Sequence, residues 1–512
     1  MSNNYSGIGR VLWGTVLVAC LMISGCNDSK NTESTGNPND RISLIDGLEY
    51  EVLIKWGDEI KDNRDFGYDN DFIAYLPDSD KKGALWVSHE DINTLFISGY
   101  EKEGDIARHR DHINKELFYS GGSLIKVEKS WGSWKFKKDP FNKRITGAQQ
   151  VQINWPTPIF GRNTTFGTAG LSAGGVTPWG TVLVGERDYR KFYGDYNELG
   201  DYEASEYQLE SFTGNPTTHY GWMVEIDPYS NYQQKHIAMG RFAHGGVAIT
   251  SLTDGRVVVY STDNRPGGSI YKFVADEPGN LNTGKLYVAN ITTGTWNAVN
   301  YDLQVMQKAY ASETEMLIKC RDAVKLVAGS GLDNPAGVAI DEVTGEVVVA
   351  LNGKTADNPY GSIIRIKEAE EDYGASKFSL RPFITGGNEP GFACPDQVVF
   401  DQKGNLWFTS DIASNNIGQG NYQEFSSNGL FVYEGSEEGK SAIRVASAPV
   451  DAAFGAPCFA PDQEAMFVSV KHPGERSKSS GYTSHWPSGE GTPKPAVIVL
   501  RGDFLSNLTG SE

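Results

Sequence analysis

Six short polar clusters carry most of the residue types able to do chemistry in this chain. They are Ser88-His89-Glu90-Asp91, Glu186-Arg187-Asp188, Ser261-Thr262-Asp263-Asn264, Asn352-Gly353-Lys354, Ser410-Asp411 and Lys471-His472-Pro473-Gly474-Glu475. Each ends a short apolar run. If the runs are equivalent elements, the clusters share one opening. Carboxylates gathered there repel one another unless a cation neutralises them, and hard oxygen ligands favour Ca²⁺. Glu90, Glu186, Asp263 and Asp411 are read as holding a shared position. For a single Asp beside a turn, capping is the commoner role, so it is the recurrence that points to a metal. Arg187, Arg190, Arg265 and Lys354 offer a clamp for an anionic group, the arginines in bidentate fashion, or partners for nearby carboxylates. His89, His244 and His472 are candidate ligands or bases, although a loop histidine is more often a hydrogen-bonded structural residue. Gly174-Gly175 and Gly245-Gly246 fit no nucleotide loop, because neither a Walker lysine nor a strand–helix context follows. No Gly-x-Ser-x-Gly elbow marks a nucleophilic serine.

The elements that must position these clusters are short strands, which come in six pairs. The pairs are 83–87 with 122–127, 180–184 with 221–226, 255–260 with 268–274, 345–351 with 361–366, 404–409 with 429–433, and 465–470 with 496–500. Segments rich in small and β-branched residues recur upstream: 245–249, 336–340 and 395–400. They suit inner strands converging on a crowded axis. A repeated strand triplet with one more edge strand is a propeller blade, and stacking blades in a ring buries faces that one blade cannot. The expected fold is all-β, a six-bladed β-propeller over 42–512; two independent β-sandwiches explain the recurring inner strands less well. Residues 303–327 carry a helix-like period and read as a helical insertion. Residues 42–56 read as a strand completing the last blade beside 497–500.

The 46 Lys+Arg against 65 Asp+Glu give a formal net charge of −19, which opposes nucleic-acid binding through a broad basic face. Residues 1–26 read as an export signal: one Arg10, the apolar run 11–23, then Ser24-Gly25-Cys26. The run is too short to span a bilayer. Ile23-Ser24-Gly25-Cys26 resembles a lipobox, with Cys26 as the lipidated first residue of the mature chain; a plain signal peptide cleaved nearby is the alternative. Residues 27–41 read as a solvated tether. Asn27 stands where an aspartate would retain a lipoprotein in the inner membrane, so the outer membrane is expected. The expected state is a monomer touching the membrane by its lipid anchor only. Three cysteines besides Cys26 remain in the mature chain, an odd number that argues against a disulfide framework.

Several motifs are familiar as a set. Among them are 66–72 (Phe-Gly-Tyr-Asp-Asn-Asp-Phe), Trp86-Val87-Ser88-His89-Glu90, Thr177-Pro178-Trp179-Gly180-Thr181 with Glu186, and Gly240-Arg241-Phe242-Ala243-His244, then Pro395-Asp396 and His472-Pro473-Gly474. Together, and in order over nearly the whole mature chain, they resemble the PhoX family of bacterial alkaline phosphatases. The resemblance implies a six-bladed propeller whose axial mouth holds an iron–calcium cluster, bound by carboxylates and one cysteine, that hydrolyses phosphomonoesters. The family often uses a twin-arginine signal, which this chain lacks. Carried over by motif, Glu90 matches the acid of the family's Asn-His-Glu, with Ser88 for the Asn. Glu186 matches the first Glu of a Glu-Glu pair, and Arg187 replaces the second. Asp263 and Asp396 fall in the family's Gly-Asp-Asp and Pro-Asp-Asn regions. The implied metal ligands are thus Glu90, Glu186, Asp263, Asp396 and Asp411, with Glu186 and Arg187 catalytic. The family cysteine is Ser172, a family Glu is Gly245, and the Arg and Glu of Asp-Arg-Pro-Glu are Asn334 and Ala336. A ferric pair needs anionic ligands, which Ser, Gly and Ala do not supply; calcium at the surviving carboxylates is the expected cofactor and iron is doubtful.

Three functions compete. The first is a divergent phosphomonoesterase, in which Ca²⁺ or another divalent ion at Glu90, Glu186 and Asp263 activates water and Arg187 assists, acting on a small phosphorylated or other anionic substrate. The second is a lipid-anchored propeller without catalysis that binds calcium and a ligand or partner protein. The third is a calcium-dependent lactonase-like hydrolase, suggested by residues 395–401 and 404–407.

Overall fold

The computed structural model describes residues 40–510, apart from 103, 105, 106, 198, 199 and 436–438. The export signal, Cys26 and nearly all of the tether lie outside these residues. Six sheets of four to six strands follow one another along the chain, with three two-stranded ribbons beside them. Blade 1 begins at Asn70–Ser79, blade 2 spans 150–236, blade 3 begins at His244–Ser251, blade 4 at Pro335–Ile340, blade 5 at Pro395–Phe400 and blade 6 at Ala453–Phe454. All six expected strand pairs are antiparallel neighbours within a blade, in registers such as Trp86↔Leu124, Val184↔Val224, Tyr260↔Lys272, Val349↔Ile364, Phe408↔Phe431 and Val468↔Ile498. The fold is the all-β, six-bladed propeller.

Ring closure depends on inner strands that almost touch. A β-carbon on Gly246 of blade 3 would sit 2.2 Å from the Ala336 carbonyl oxygen of blade 4, and one on Gly337 would sit 2.4 Å from that of Asp396 in blade 5. One on Gly455 of blade 6 would meet the Asp71 carbonyl oxygen of blade 1 at 2.7 Å. The small residues in the inner segments are therefore a packing requirement. Apolar cores fill the wedges between blades: Trp86 with Val182 between 1 and 2, Tyr260 with Val349 between 3 and 4, Phe408 with Ile363 between 4 and 5, and Trp407 with Ile498 between 5 and 6. Each blade buries both faces this way.

The segment 303–327 is three short helices, Gln304–Ala309, Glu313–Ile318 and Cys320–Leu326. Ser312 caps the second helix, accepting from Glu315 N at 3.1 Å. Met306, Met316, Leu317 and Cys320 pack these helices into the core between blades 2 and 3. Residues 42–56 are not one strand. Glu49–Lys55 pairs with Ala496–Arg501 in blade 6, as Tyr50↔Leu500 shows, but Ser43–Leu44 joins Ile443–Ser447 of blade 5. A turn at Gly47, where φ is +83°, passes the chain from one blade to the other.

Candidate active site

The same local device recurs at the mouth. In five blades the inner strand pairs with the second strand at its first residue, then slips in register: after Asn70, Leu171, His244, Pro335 and Pro395. A β-bulge re-aims the extra residue. The residue that directly follows each of those is Asp71, Ser172, Gly245, Ala336 or Asp396. From the second strands, Glu90, Arg187, Asn264, Asn352 and Asp411 form a matching ring. The backbone N–H of each donates to a carbonyl two residues before the neighbouring bulge position: Asp69, Gly170, Ala243, Asn334 and Cys394 respectively. The equivalent of Glu90 is therefore Arg187. Glu186 and Asp263 lie one residue earlier, level with His89 and Ser410, and a one-residue offset sends a strand side chain to the opposite face.

That offset corrects two of the expected site residues. Glu186 is fully buried, and its oxygens accept from Lys235 Nζ at 2.7 Å and from the backbone N–H groups of Ala169, Gly221 and Trp222 at 2.9, 2.8 and 3.1 Å. Four donors occupy a carboxylate's capacity, and they hold Glu186 as an anchor inside blade 2. Asp263 pairs with Arg321 Nε at 2.8 Å and accepts from Ala243 N at 3.2 Å, facing a side cavity. The set Glu90, Glu186, Asp263 and Asp411 does not converge.

What converges is a buried charge network that alternates in sign. Lys471 Nζ lies 2.5 Å from Glu90 Oε2 and 3.4 Å from Asp71 Oδ1. Arg187 Nε lies 2.5 Å from Glu90 Oε1, and its Nη1 lies 3.6 Å from Asp396 Oδ1. Ser172 Oγ donates to Asp71 Oδ2 at 2.6 Å, and Lys354 Nζ stands 3.2 Å from Asp411. Asp71, Asp69 and Lys471 are residues that motif reasoning left without a role; the bulge at 71 was the signal, and it becomes visible only in the strand register.

Protonation follows from burial and neighbours. Burial raises the Glu90 carboxyl well above the ordinary range against the pull of Arg187 and Lys471, and Asp71 adds to the rise. At Asp71, Lys471, Arg187 and the Ser172 hydroxyl outweigh burial and lower the pKa. The two carboxyls are thus pushed in opposite directions across a shared lysine. Burial also raises Asp396, against Arg187 and with Asp411, and lifts Asp69 to about 6 against His472 and Lys471. At Asp411 the cations Lys354, Lys471 and Arg187 overcome burial and keep it ionised. His89 and His244 are structural: burial pushes His89 well below its usual value beside Ser123, and pushes His244 to about 3 while its Nε2 donates to Gly240 O. His472 stays at the mouth, its backbone N–H on Asp69 Oδ1 at 3.1 Å.

The family model "Alkaline phosphatase PhoX" matches residues 29–474. The chain belongs to the PhoX family. The structure of Pseudomonas fluorescens PhoX in complex with vanadate, a transition-state analogue, superposes with a TM-score of 0.80 at 24% identity, covering 90% of this chain and 96% of that one. A protein of unknown function from Dyadobacter fermentans covers 90% of this chain and 100% of its own at 10% identity and a TM-score of 0.43. No curated protein matches the chain.

The iron–calcium cluster implied by the PhoX resemblance does not fit the donors present. Ser172, Gly245 and Ala336 are three of the five bulge positions, and none offers an anion. A β-carbon on Gly245 would lie 2.4 Å from Asn264 Cβ and 3.4 Å from Arg187 Cδ, so the space for a longer side chain is filled. Asn334, in the left-handed region at φ +53°, donates to Gly353 O, and the Ala336 carbonyl accepts from Thr262. The remaining carboxylates are already neutralised by tethered cations. Among the described residues no group of three His, Cys, Asp or Glu side chains is arranged to hold a metal ion.

Proposed function

We propose that this chain is a phosphoester-directed member of the PhoX family, acting at the propeller mouth on small phosphomonoesters. The observation that carries the reading is Arg187. It is buried at the mouth, its guanidinium stays charged at any working pH, and its Nε and Nη1, though ion-paired with Glu90 and Asp396, make no well-aligned hydrogen bond to either. A phosphoryl oxygen is the acceptor that such a fork takes best. Asp396 Oδ2 is likewise buried without a partner beside it.

In this reading Arg187 binds and orients the phosphoryl group. The proton shared by Lys471 and Glu90, in contact at 2.5 Å, goes to the departing alkoxide. Asp396, on the opposite side of Arg187, orients the water that replaces the alkoxide and accepts the proton it loses, while Lys471 fixes Glu90 and Asp71. A second reading, an oxyanion-binding propeller without turnover, is favoured by the three bulge positions that carry no anionic group. The anchor reading completes the proposal: Cys26 carries lipid and holds the domain at the outer membrane, so Cys26→Ser should release it from washed envelopes, and persistence there would reject the anchor.

The test is hydrolysis of p-nitrophenyl phosphate by the purified mature chain, with and without exhaustive chelation, beside Arg187→Met. Chelation-resistant turnover that falls about 100-fold or more in the variant is expected from loss of one charged transition-state donor. Saturable phosphate binding with no turnover selects the second reading. Turnover indifferent to Arg187→Met removes the mouth from consideration.

A further inference from the structure

Behind the turn at Asp263, Asn264 and Arg265 lies a cavity of about 1140 Å³, open to solvent between loops of blades 2 and 3 and the helical segment. Its wall is cationic in a chain of net charge −19. Arg190, Arg241, Arg265 and Arg321 line it with Lys319 and Lys325, against the acids Asp195, Asp263 and Asp322, the last paired with Lys325 at 3.4 Å. The acids are already committed. Asp195 Oδ1 accepts from Arg241 Nη1 and Nη2, each at 3.0 Å, and from Tyr196 N at 2.9 Å, while Oδ2 accepts from Tyr189 OH at 2.7 Å. Asp263 is taken by Arg321, and Arg190 Nη2 reaches Glu203 at 3.2 Å. Arg265 is left over. Its Nη1 stands 3.7 Å from Asp195 Oδ2, and its guanidinium makes no hydrogen bond to any described residue.

An arginine fork held only by one long ion pair, in a concave, partly apolar wall, is the chemistry that recognises a phosphate or carboxylate on an organic body. The volume is far larger than one phosphate. Exposed Tyr196 stands on the same wall, offering a face for a planar ring. We propose that this cavity is a second oxyanion site, which takes an organic phosphate of nucleotide size with its phosphate on Arg265 and its ring on Tyr196. The site shares a wall with the mouth through Asn264, whose Cβ fills the space beside Gly245 and Arg187. The proposal does not rest on turnover at the mouth.

The test is calorimetric titration of ATP and of inorganic phosphate into the mature chain carrying Arg187→Gln, which disables the mouth. ATP is expected to bind with an affinity that falls as salt rises, and more tightly than inorganic phosphate. Adding Arg265→Gln should weaken ATP at least tenfold, the loss of one charge-assisted fork. Arg265→Lys, which keeps the charge and loses the fork, should fall between. Because Arg265 is hydrogen-bonded to nothing, its variants should melt with the parent. If Arg187→Gln itself fails to fold, the same Arg265 pair is read in the wild-type chain. No ATP binding, binding indifferent to Arg265→Gln, or inorganic phosphate binding as tightly as ATP would each overturn the proposal, whereas a phosphatase-inactive wild type would leave it standing.

Discussion

Replacing Lys235 with Met tests whether Glu186 is an anchor or a site residue. Both side chains are fully buried, with Nζ 2.7 Å from Glu186 Oε1, 2.8 Å from the His219 carbonyl and 4.4 Å above the Tyr220 ring. Removing the ammonium leaves Glu186 with three backbone N–H donors and no counter-charge. Breaking a buried pair on one side costs about 3–5 kcal/mol; the three remaining donors place Lys235→Met near the lower end, at about 3 kcal/mol. Glu186→Gln should cost as much or more. Its amide nitrogen would either face the Gly221 and Trp222 N–H groups, donor against donor, or abandon Lys235. Urea unfolding reads the cost as a lower midpoint at unchanged slope. The double variant Lys235→Met/Glu186→Gln should lose less than the sum of the two singles, because the second change no longer strands a charge. Phosphate affinity should be unaltered in the folded variants. If Glu186→Gln keeps its midpoint within about 1 kcal/mol and loses phosphate binding, the reasoning from saturated oxygens is wrong and Glu186 belongs to the chemistry.

Three further outcomes follow from the same geometry. The Asp69 carboxyl rises in the fold from its ordinary 3.8 to about 6, so the fold favours its protonated form. The resulting stabilisation is full below pH 4 and is lost as pH climbs through 6, a difference of about 3 kcal/mol; Asp69→Asn should flatten that part of a stability–pH curve, and an unchanged curve would contradict the assignment. Lys471→Gln should raise the affinity for Ca²⁺ above the parent's, because Asp71 loses its nearest cation and Glu90 keeps only Arg187; a calcium titration identical in variant and parent would show that the tethered lysine is not what opposes the metal. Gly246→Ala should cost about 1–3 kcal/mol, since its methyl would meet backbone of blade 4, and a thermal melt matching the parent would mean the inner strands have room to part.

The six blades were legible because a blade is local. Its second and third strands lie close in sequence, and pairs such as 345–351 and 361–366 announce themselves through turn glycines and β-branched runs. The passage of residues 43–44 into a different blade from 49–55 was not legible, because both pieces are apolar and only one turn glycine parts them. The site was half readable. Glu90, Arg187, Asp396 and Asp411 do meet at the mouth, along with Lys354. Glu186 was misread because it sits in the sequence beside Arg187 just as His89 sits beside Glu90, so motif matching aligned two acids that strand register sets one residue apart. Asp71 escaped because a bulge has no sequence signature of its own. Likewise, nothing in the residue types alone tells whether acids at a common opening will be offset by a metal or by lysine and arginine.

The seam between the first and last strands has a consequence for biogenesis. Glu49 and Glu51 are bonded to Arg501, some 450 residues away along the chain. The part of the polypeptide that is synthesised first must therefore wait, unmated, for the part that is synthesised last. Contacts this distant form slowly, and until they form, two blades present open edges to the surrounding space. A chain truncated even shortly before Ala496 would be left an unsealed ring, open at the last blade.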